Sequence, residues 1–254
     1  MAEDKTRASD GQSISKAIAV LRAIADHPGS SLGELAKATG FARSTVQRMV
    51  SALNAEGLVT KNAGHQGVFL GMELARLGAK VNLNARSLLM PLMEDLHRKI
   101  GDNIDLTTLD EGRAIVIEQI ASNEDIRVIS FVGREHAIHC TANGKAHLSQ
   151  LPRDQALALL RERGMPKMTP NSITEPERLM AQVEAFRDIG LFIDREEFGD
   201  DACAIATTLP DIGGRKLAIS IAMPRARFQR REEDLKAALL EFRRNVIASF
   251  GSSI

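Results

Sequence analysis

The chain has no tryptophan, no tyrosine and only nine phenylalanines among its 254 residues. Ring stacking on a ligand therefore rests on phenylalanine, with Phe131 and Phe192 as the candidates. Two cysteines, Cys140 and Cys203, are too few for a disulfide framework and fit a reducing compartment. No run approaches the roughly 18 uninterrupted apolar residues that a membrane helix needs. The first twelve residues, MAEDKTRASDGQ, lack the apolar middle of a secretory signal. They read as a disordered tail, residues 1–12, on a cytoplasmic protein. An excess of one charge is missing too: 33 Lys and Arg face 33 Asp and Glu. Any binding to nucleic acid must then depend on where the basic residues sit.

What is present is ordinary for a soluble globular protein, with 44% apolar and 26% charged residues and enough length for two domains. Residues 13–26 carry Ile14, Ile18, Leu21 and Ile24 at helical spacing, and His27-Pro28-Gly29 stops that helix. Ser30 or Ser31 can cap the next helix, with Glu34 at capping-box spacing from Ser31. Leu32, Leu35 and Ala36 give it an inner face. Thr39-Gly40-Phe41 is a short Gly-containing break of the kind that joins a helix-turn-helix. A third helix from about Ala42 to Ala55 turns Val46, Met49, Val50 and Leu53 inward. Arg43, Ser44, Thr45, Gln47 and Arg48 project on its opposite side. Arg and Gln can read base edges, and Ser and Thr can hold phosphate. Strand-like runs at 58–60 and 68–70 flank a tip at 62–67, a wing whose cations are Lys61 and His65. Helical spacing alone equally fits three amphipathic helices with a solvated face. The order helix, helix, Gly turn, helix, hairpin is more specific. It predicts a winged helix-turn-helix over residues 13–71, with double-stranded DNA as partner.

From 72 to 100, apolar residues recur at Leu74, Leu77, Val81, Ala85, Leu88, Leu92, Leu96 and Ile100. The spacing predicts a linker helix that packs against the following domain or against a second subunit, with Pro91 as a possible kink or new start. Residues 101–254 alternate between strands (103–109, 114–120, 126–131, 192–194, 202–209, 216–222) and helices (141–149, 152–163, 175–189, 231–250). Helices laid over such a sheet indicate an α+β fold, here a sensor domain.

The stretch LGELAKATGFARSTVQRMVSAL resembles the IclR family of transcriptional regulators. VGREHAIHCTANGKAHL and LFIDREEFGDDACAIATTLPD are similar to that family's Gly-Lys-Ala and Asp-x-Glu-Glu segments, so the likeness covers nearly the whole chain. The resemblance implies that Arg43, Ser44, Thr45, Gln47 and Arg48 lie on a recognition helix. It also implies a GAF-like effector-binding domain over 101–254 and a homodimer, often a dimer of dimers, on a pseudo-palindromic operator. Small carboxylates, aromatic acids and related metabolites are the family's usual effectors; no cofactor is implied. Position by position, Val128 matches a wall residue of the effector site, Ala142 and Asn143 a loop against the ligand, and Asp194 its acidic residue. Ser220 and Ala222 match the strand behind the ligand. The family's pocket cysteine aligns with Ala204, one residue after Cys203, and a shift of one residue on a strand swaps the face. Two departures are chemical. His136 and Asn143 stand where apolar residues are common; they supply donors for an oxygen-rich ligand, or are a satisfied core histidine and a helix cap. Gln66-Gly67-Val68-Phe69 replaces a pattern with two arginines, which leaves a wing with weaker phosphate contacts. The resulting expectation is a repressor of a catabolic operon, controlled by a small organic acid.

An enzyme is the rival class. Cys140 beside His139, with His147 beyond, can be drawn as the nucleophile and base of a hydrolase. Adjacent residues rarely point at each other, and a small buried cysteine is the commoner case. Asp194, Glu196 and Glu197 form an acidic run more readily than a glycosidase pair. His136, His139, Cys140, Cys203 and Asp194 lack zinc-ligand spacing, so no metal is expected.

Overall fold

The computed structural model describes residues 2–61, 67–78 and 84–250. The chain divides into two compact units, Met1–Asn82 and Leu83–Ile254.

The N-terminal unit opens with helices α1 (Ala2–Asp26), α2 (Leu32–Thr39) and α3 (Arg43–Ala55). Helix α1 continues back through the segment expected to be a disordered tail. Ala, Glu, Lys and Arg dominate its first turns, and no proline precedes Pro28, so local propensity favours helix there. Its buried face is Val20, Ala23 and Ile24, packed on Leu35, Val46, Val50 and Leu53. Ile14 and Ile18, which share the helical spacing of Leu21 and Ile24, are exposed. Ser31 and Glu34 form the capping box: Glu34 N donates to Ser31 Oγ at 3.3 Å, and Ser31 N donates to Glu34 Oε2 at 2.7 Å. Strands β1 (Val59–Lys61) and β2 (Val68–Leu70) pair antiparallel. Val68 bonds in both directions to the α1–α2 turn, through Gly29 N to Val68 O and Val68 N to Ser30 O, each at 3.0 Å. Gly67 makes this approach possible, because a Cβ there would lie 2.2 Å from the Gly29 carbonyl oxygen. The wing tip, with His65, lies outside the described residues.

Of the linker expected over 72–100, the described residues form α4 (Met72–Gly78) and α5 (Asn84–Ile100); residues 79–83, with Val81, lie outside the described residues. Helix α5 belongs to the second unit. It buries Ala85, Leu96 and Ile100 of the expected stripe, with Leu89 and Met93 in place of Leu88 and Leu92, and leaves Leu88 exposed. Its attachment to the core is why the boundary falls at residue 82 and not at 100.

The second unit is built on strands β3 (Asn103–Asp110), β4 (Arg113–Ile120), β5 (Glu135–His136), β6 (Leu191–Arg195), β7 (Ala202–Leu209) and β8 (Leu217–Pro224). They form one antiparallel sheet in the order β5-β4-β3-β8-β7-β6. Helix α5 and the closing helix α9 (Arg225–Phe250) share one core with Ile104, Leu106, Ile205, Ile219 and Ile221. Helices α6 (Ala142–Ser149), α7 (Arg153–Arg163) and α8 (Pro176–Ala185) share another with Phe192, Ala206 and Ala218. Strand alternation divides the two cores: odd positions of β7 and β8 face α5 and α9, and even positions face α6. Helix α9 starts six residues before the expected Arg231 and adds Phe228 to the buried stripe Leu235, Leu239, Phe242 and Val246. Helix α8 ends at Ala185, short of the expected Ile189. The expected strand 126–131 is a loop. Its carbonyls are taken by side chains, Asn103 Nδ2 on Val128 O and Arg134 on Ile129 O, and β4 pairs with β5 instead. Among the described residues, no helix is long and apolar enough to cross a membrane.

Candidate functional site

In the N-terminal unit, α3 leaves Arg43, Ser44, Gln47 and Arg48 exposed and Thr45 half-buried, while Val46, Met49, Val50 and Leu53 are buried. The cap residue Ala42 makes no side-chain hydrogen bond to the first turn. The first backbone N–H groups of α3 are thus free of a side-chain cap, next to Arg43 and Ser44, where a phosphate is well placed. Lys61 is exposed at the end of β1.

In the second unit, a cavity of about 170 Å³ is bordered by all nine residues singled out for an effector: Val128, His136, Ala142, Asn143, Asp194, Cys203, Ala204, Ser220 and Ala222. The sheet register explains the convergence. Asp194, Ala204, Ala222 and Asn103 form one row across β6, β7, β8 and β3; Ala206, Ser220 and Asp105 form the next. Directly opposed residues point to the same face. That face carries α6, whose first turn brings Ala142 and Asn143 over the rows. Gly144 permits the approach: a Cβ there would sit 2.3 Å from the Ile138 carbonyl oxygen. Thr141 caps the helix through its side chain, so Asn143 is free for another role. Cys203 borders the cavity, but its side chain alternates to the other face and packs with Ile205 and Met223, whereas Ala204 shares the Asp194 row.

The sequence reading missed Asp105, Ser130, Arg134 and Phe198, which also border the cavity. Asp105 had a signal: a lone acid in the buried strand NIDLTTL, at the position that alternation places with Asn103 and Thr107. Phe131 is exposed and Phe192 lies in the α6–α8 core, so neither expected stacking ring borders the cavity; Phe198 does. The Arg134 guanidinium lies 5.7 Å from the Phe198 ring centre.

Asn143 is 1% exposed and Asp105 3%. Asn143 Nδ2 donates to Ser220 Oγ at 2.7 Å and lies 3.5 Å from His136 Nδ1. His136 Nε2 lies 3.3 Å from Ser130 Oγ and 3.8 Å from Asp105 Oδ2. Two buried acceptors in this wall, Asn143 Oδ1 and Asp105 Oδ1, have no hydrogen-bond partner. Burial raises Asp105 to a pKa of about 6 and Asp194 to about 7. Burial, reinforced by Arg134, lowers His136 to about 4, so its ring is neutral at pH 7. Asp194 Oδ1 accepts from Glu197 N at 2.7 Å across a turn in which Glu196 holds φ 58°. At pH 7 the site therefore offers one cation, Arg134, a mostly ionised Asp105, a partly protonated Asp194 and neutral donors from His136, Asn143 and the serines.

The hydrolase reading fails on geometry. Cys140 is fully buried, and burial with nearby Asp194 and Glu197 pushes its thiol up to about 12. Its neighbour His139 is engaged with the Pro166 carbonyl at 2.9 Å, and His147 with Thr107 Oγ1 at 2.9 Å. A protonated, sealed thiol is no nucleophile.

Comparison with known proteins agrees with both units. The IclR helix-turn-helix domain matches residues 13–63, and the bacterial transcriptional regulator IclR C-terminal domain matches residues 78–247. The chain belongs to the IclR family of transcriptional regulators. It is 34% identical over 252 residues to the HTH-type transcriptional regulator Rv1719 of Mycobacterium tuberculosis, covering 99% of this chain and 97% of that one. It is 26% identical to the acetate operon repressor of Salmonella typhimurium, over 95% of this chain and 91% of that protein. An IclR homolog from Microbacterium hydrocarbonoxydans, solved in complex with 4-hydroxybenzoate, shares the fold with a TM-score of 0.75 at 20% identity, covering 93% and 99% of the two chains. This IclR-family chain is accordingly a DNA-binding regulator with an α+β effector-binding C-terminal domain, and not an enzyme.

Proposed function

We propose that this regulator is a cytoplasmic repressor of a catabolic operon, and that the cavity under α6 binds a small hydroxy- or oxo-acid as its effector. The observation that carries the reading is the pairing of one cation, Arg134, with two buried acceptors that lack donors, Asn143 Oδ1 and Asp105 Oδ1. A carboxylate suits the guanidinium, and a hydroxyl suits the acceptors. The volume of about 170 Å³ is below that of a drug-sized pocket and favours a ligand of few atoms. A related chain is named a repressor and another was solved with an aromatic acid, which supports effector control of this general kind.

On the DNA side, Arg43, Ser44, Thr45, Gln47 and Arg48 enter the major groove, and Lys61 contacts the backbone. A homodimer, or a dimer of dimers, matches a pseudo-palindromic operator. Effector binding shifts the population between two arrangements of the recognition helices. A coupling of about 1–3 kcal/mol changes operator affinity by roughly 5–150-fold.

The test is a thermal-shift series with lactate, glycerate, pyruvate and 4-hydroxybenzoate, followed by band shifts on the protein's own upstream promoter DNA. Hydroxy- or oxo-acids should stabilise the protein and release the DNA. Stabilisation by the flat aromatic acid alone rejects the ligand class. A protein that ignores its promoter at low ionic strength, with and without each acid, rejects the reading as a whole.

A further inference from the structure

A second cavity, of about 300 Å³, lies along the edge strand β6, between the end of α8 and the first turns of α9. Its walls are largely apolar, with Phe186, Ile189 and Phe192 among them. Two polar side chains, Gln182 and Glu197, border the same space. Gln182 Oε1 and Glu197 Oε2 are buried, and neither has a hydrogen-bond partner. Glu197 is 6% exposed, and its other carboxylate oxygen is held by Lys145, which is 2% exposed and also donates to Ile193 O at 2.9 Å. An apolar wall with a few convergent polar atoms is the usual make-up of a small-molecule site. A buried acceptor without a donor costs free energy until a donor arrives.

We infer that this cavity is a second small-molecule site, distinct from the one under α6, which takes a compact aromatic molecule bearing a hydroxyl or N–H donor. The ring packs on Phe186, Ile189 and Phe192, and the donor bonds to Glu197 Oε2 or Gln182 Oε1. Both acceptors are oxygen atoms, so the ligand must donate; an aromatic carboxylate would meet Glu197 as a like charge. The Arg195–Glu232–Lys236 cluster, with contacts of 2.7 Å from Glu232 to each cation, sets two cations against one carboxylate at the rim. A hydrogen bond within one turn links the two cavities. Glu197 N donates to Asp194 Oδ1 at 2.7 Å, so an occupant that engages Glu197 touches the turn that carries Asp194.

The chain's lack of tryptophan and tyrosine makes a fluorescent probe easy to read against it. The probe is 7-hydroxycoumarin, titrated into the full chain at pH 6, where its hydroxyl keeps its proton. Saturable binding is expected. 7-Methoxycoumarin, which has no donor, should bind about fivefold more weakly, and Gln182→Met should cost a similar factor for the native probe. Ile189→Arg, at a position 53% exposed, should weaken binding about tenfold or more without loss of folding. Ile129→Arg, at the mouth of the cavity under α6, should leave the affinity within about twofold, since that residue borders only the other cavity. Absence of saturable binding overturns the proposal. So does binding lost in Ile129→Arg and kept in Ile189→Arg, which puts the probe under α6. Failure of wild type to bind, with Ile189→Arg reducing the sedimentation coefficient, also overturns it and makes the face a contact between copies of the chain.

Discussion

Asn143 Nδ2 donates to Ser220 Oγ at 2.7 Å, a bond between residues 77 positions apart that ties the first turn of α6 to the middle of β8. The same amide lies 3.5 Å from His136 Nδ1, so one side chain serves two neighbours. Asn143→Leu keeps the volume and strips both of their donor. It should cost about 1–3 kcal/mol in urea unfolding, the range for stranding buried polar groups. Ser220→Ala leaves the amide its second partner and should cost less, about 1 kcal/mol. Equal costs, or the reverse order, contradict the network.

Lys145 and Glu197 are a buried ion pair. Such pairs add little net stability, but breaking one strands a charge. Lys145→Met should therefore destabilise by about 3–5 kcal/mol, and Lys145→Met with Glu197→Met by clearly less than the single change. A double variant that falls by the sum of the two singles would show that the groups act independently.

Asp194 gives the protein a pH dependence of known sign. Burial raises its pKa from 3.8 to about 7, so the folded chain keeps a proton that the unfolded chain has released. Its contribution is fully present below about pH 4 and is lost as pH rises through 7. His136, lowered by burial to about 4, contributes stability above 6.5 that is lost on acidification, so the total curve mixes both signs. The difference between Asp194→Asn and wild type isolates the acid. The variant should gain on wild type between pH 5 and pH 8 by on the order of 2 kcal/mol. A difference that stays flat with pH removes Asp194 as the titrating group.

Much of this was legible in the residues. Ser31 and Glu34 announced a capping box, and the turn Thr39-Gly40-Phe41 placed α3; both rest on local chemistry. The row of Asp194, Ala204 and Ala222 followed from matched segments and strand alternation. What failed depended on tertiary context. Residues 126–131 have strand-like alternation, but Asn103 and Arg134 take their carbonyls, and no pattern within 126–131 reveals that. Helix α5 shows several leucines in plausible registers, and only the sheet beneath selects Leu89 over Leu88. Arg134 was invisible because its place at the cavity comes from the loop that the sequence read as a strand.

Cys140 separates the regulator from the rejected hydrolase. Its full burial and raised pKa make it inert. A thiol reagent should modify it only at the rate of unfolding. Cys140→Ala should leave DNA binding within about twofold, because the side chain is small and lies in the other unit. Rapid modification of the native protein would show that the thiol is accessible after all.

Arg43 and Arg48 are exposed on α3, one on the first turn and one on the second, with no acid on that first turn to compete for them. If both contact the duplex, each substitution removes part of the attraction, but in different ways. A phosphate contact weakens all sequences alike and lowers the slope of log affinity against log salt by about 1; a base contact costs about 1–3 kcal/mol on the operator and relaxes preference at one position. The segment from Val59 to Leu70 contains no arginine, and Lys61 is exposed there, so Lys61→Ala should lower the slope by no more than one phosphate contact. Arg43→Ala and Arg48→Ala measured on operator and on random DNA across a salt series assign each role. Both should leave thermal stabilisation by the effector unchanged, since the cavity lies wholly in the second unit. Unaltered operator affinity in both variants would exclude this face of α3 as the surface that reads DNA.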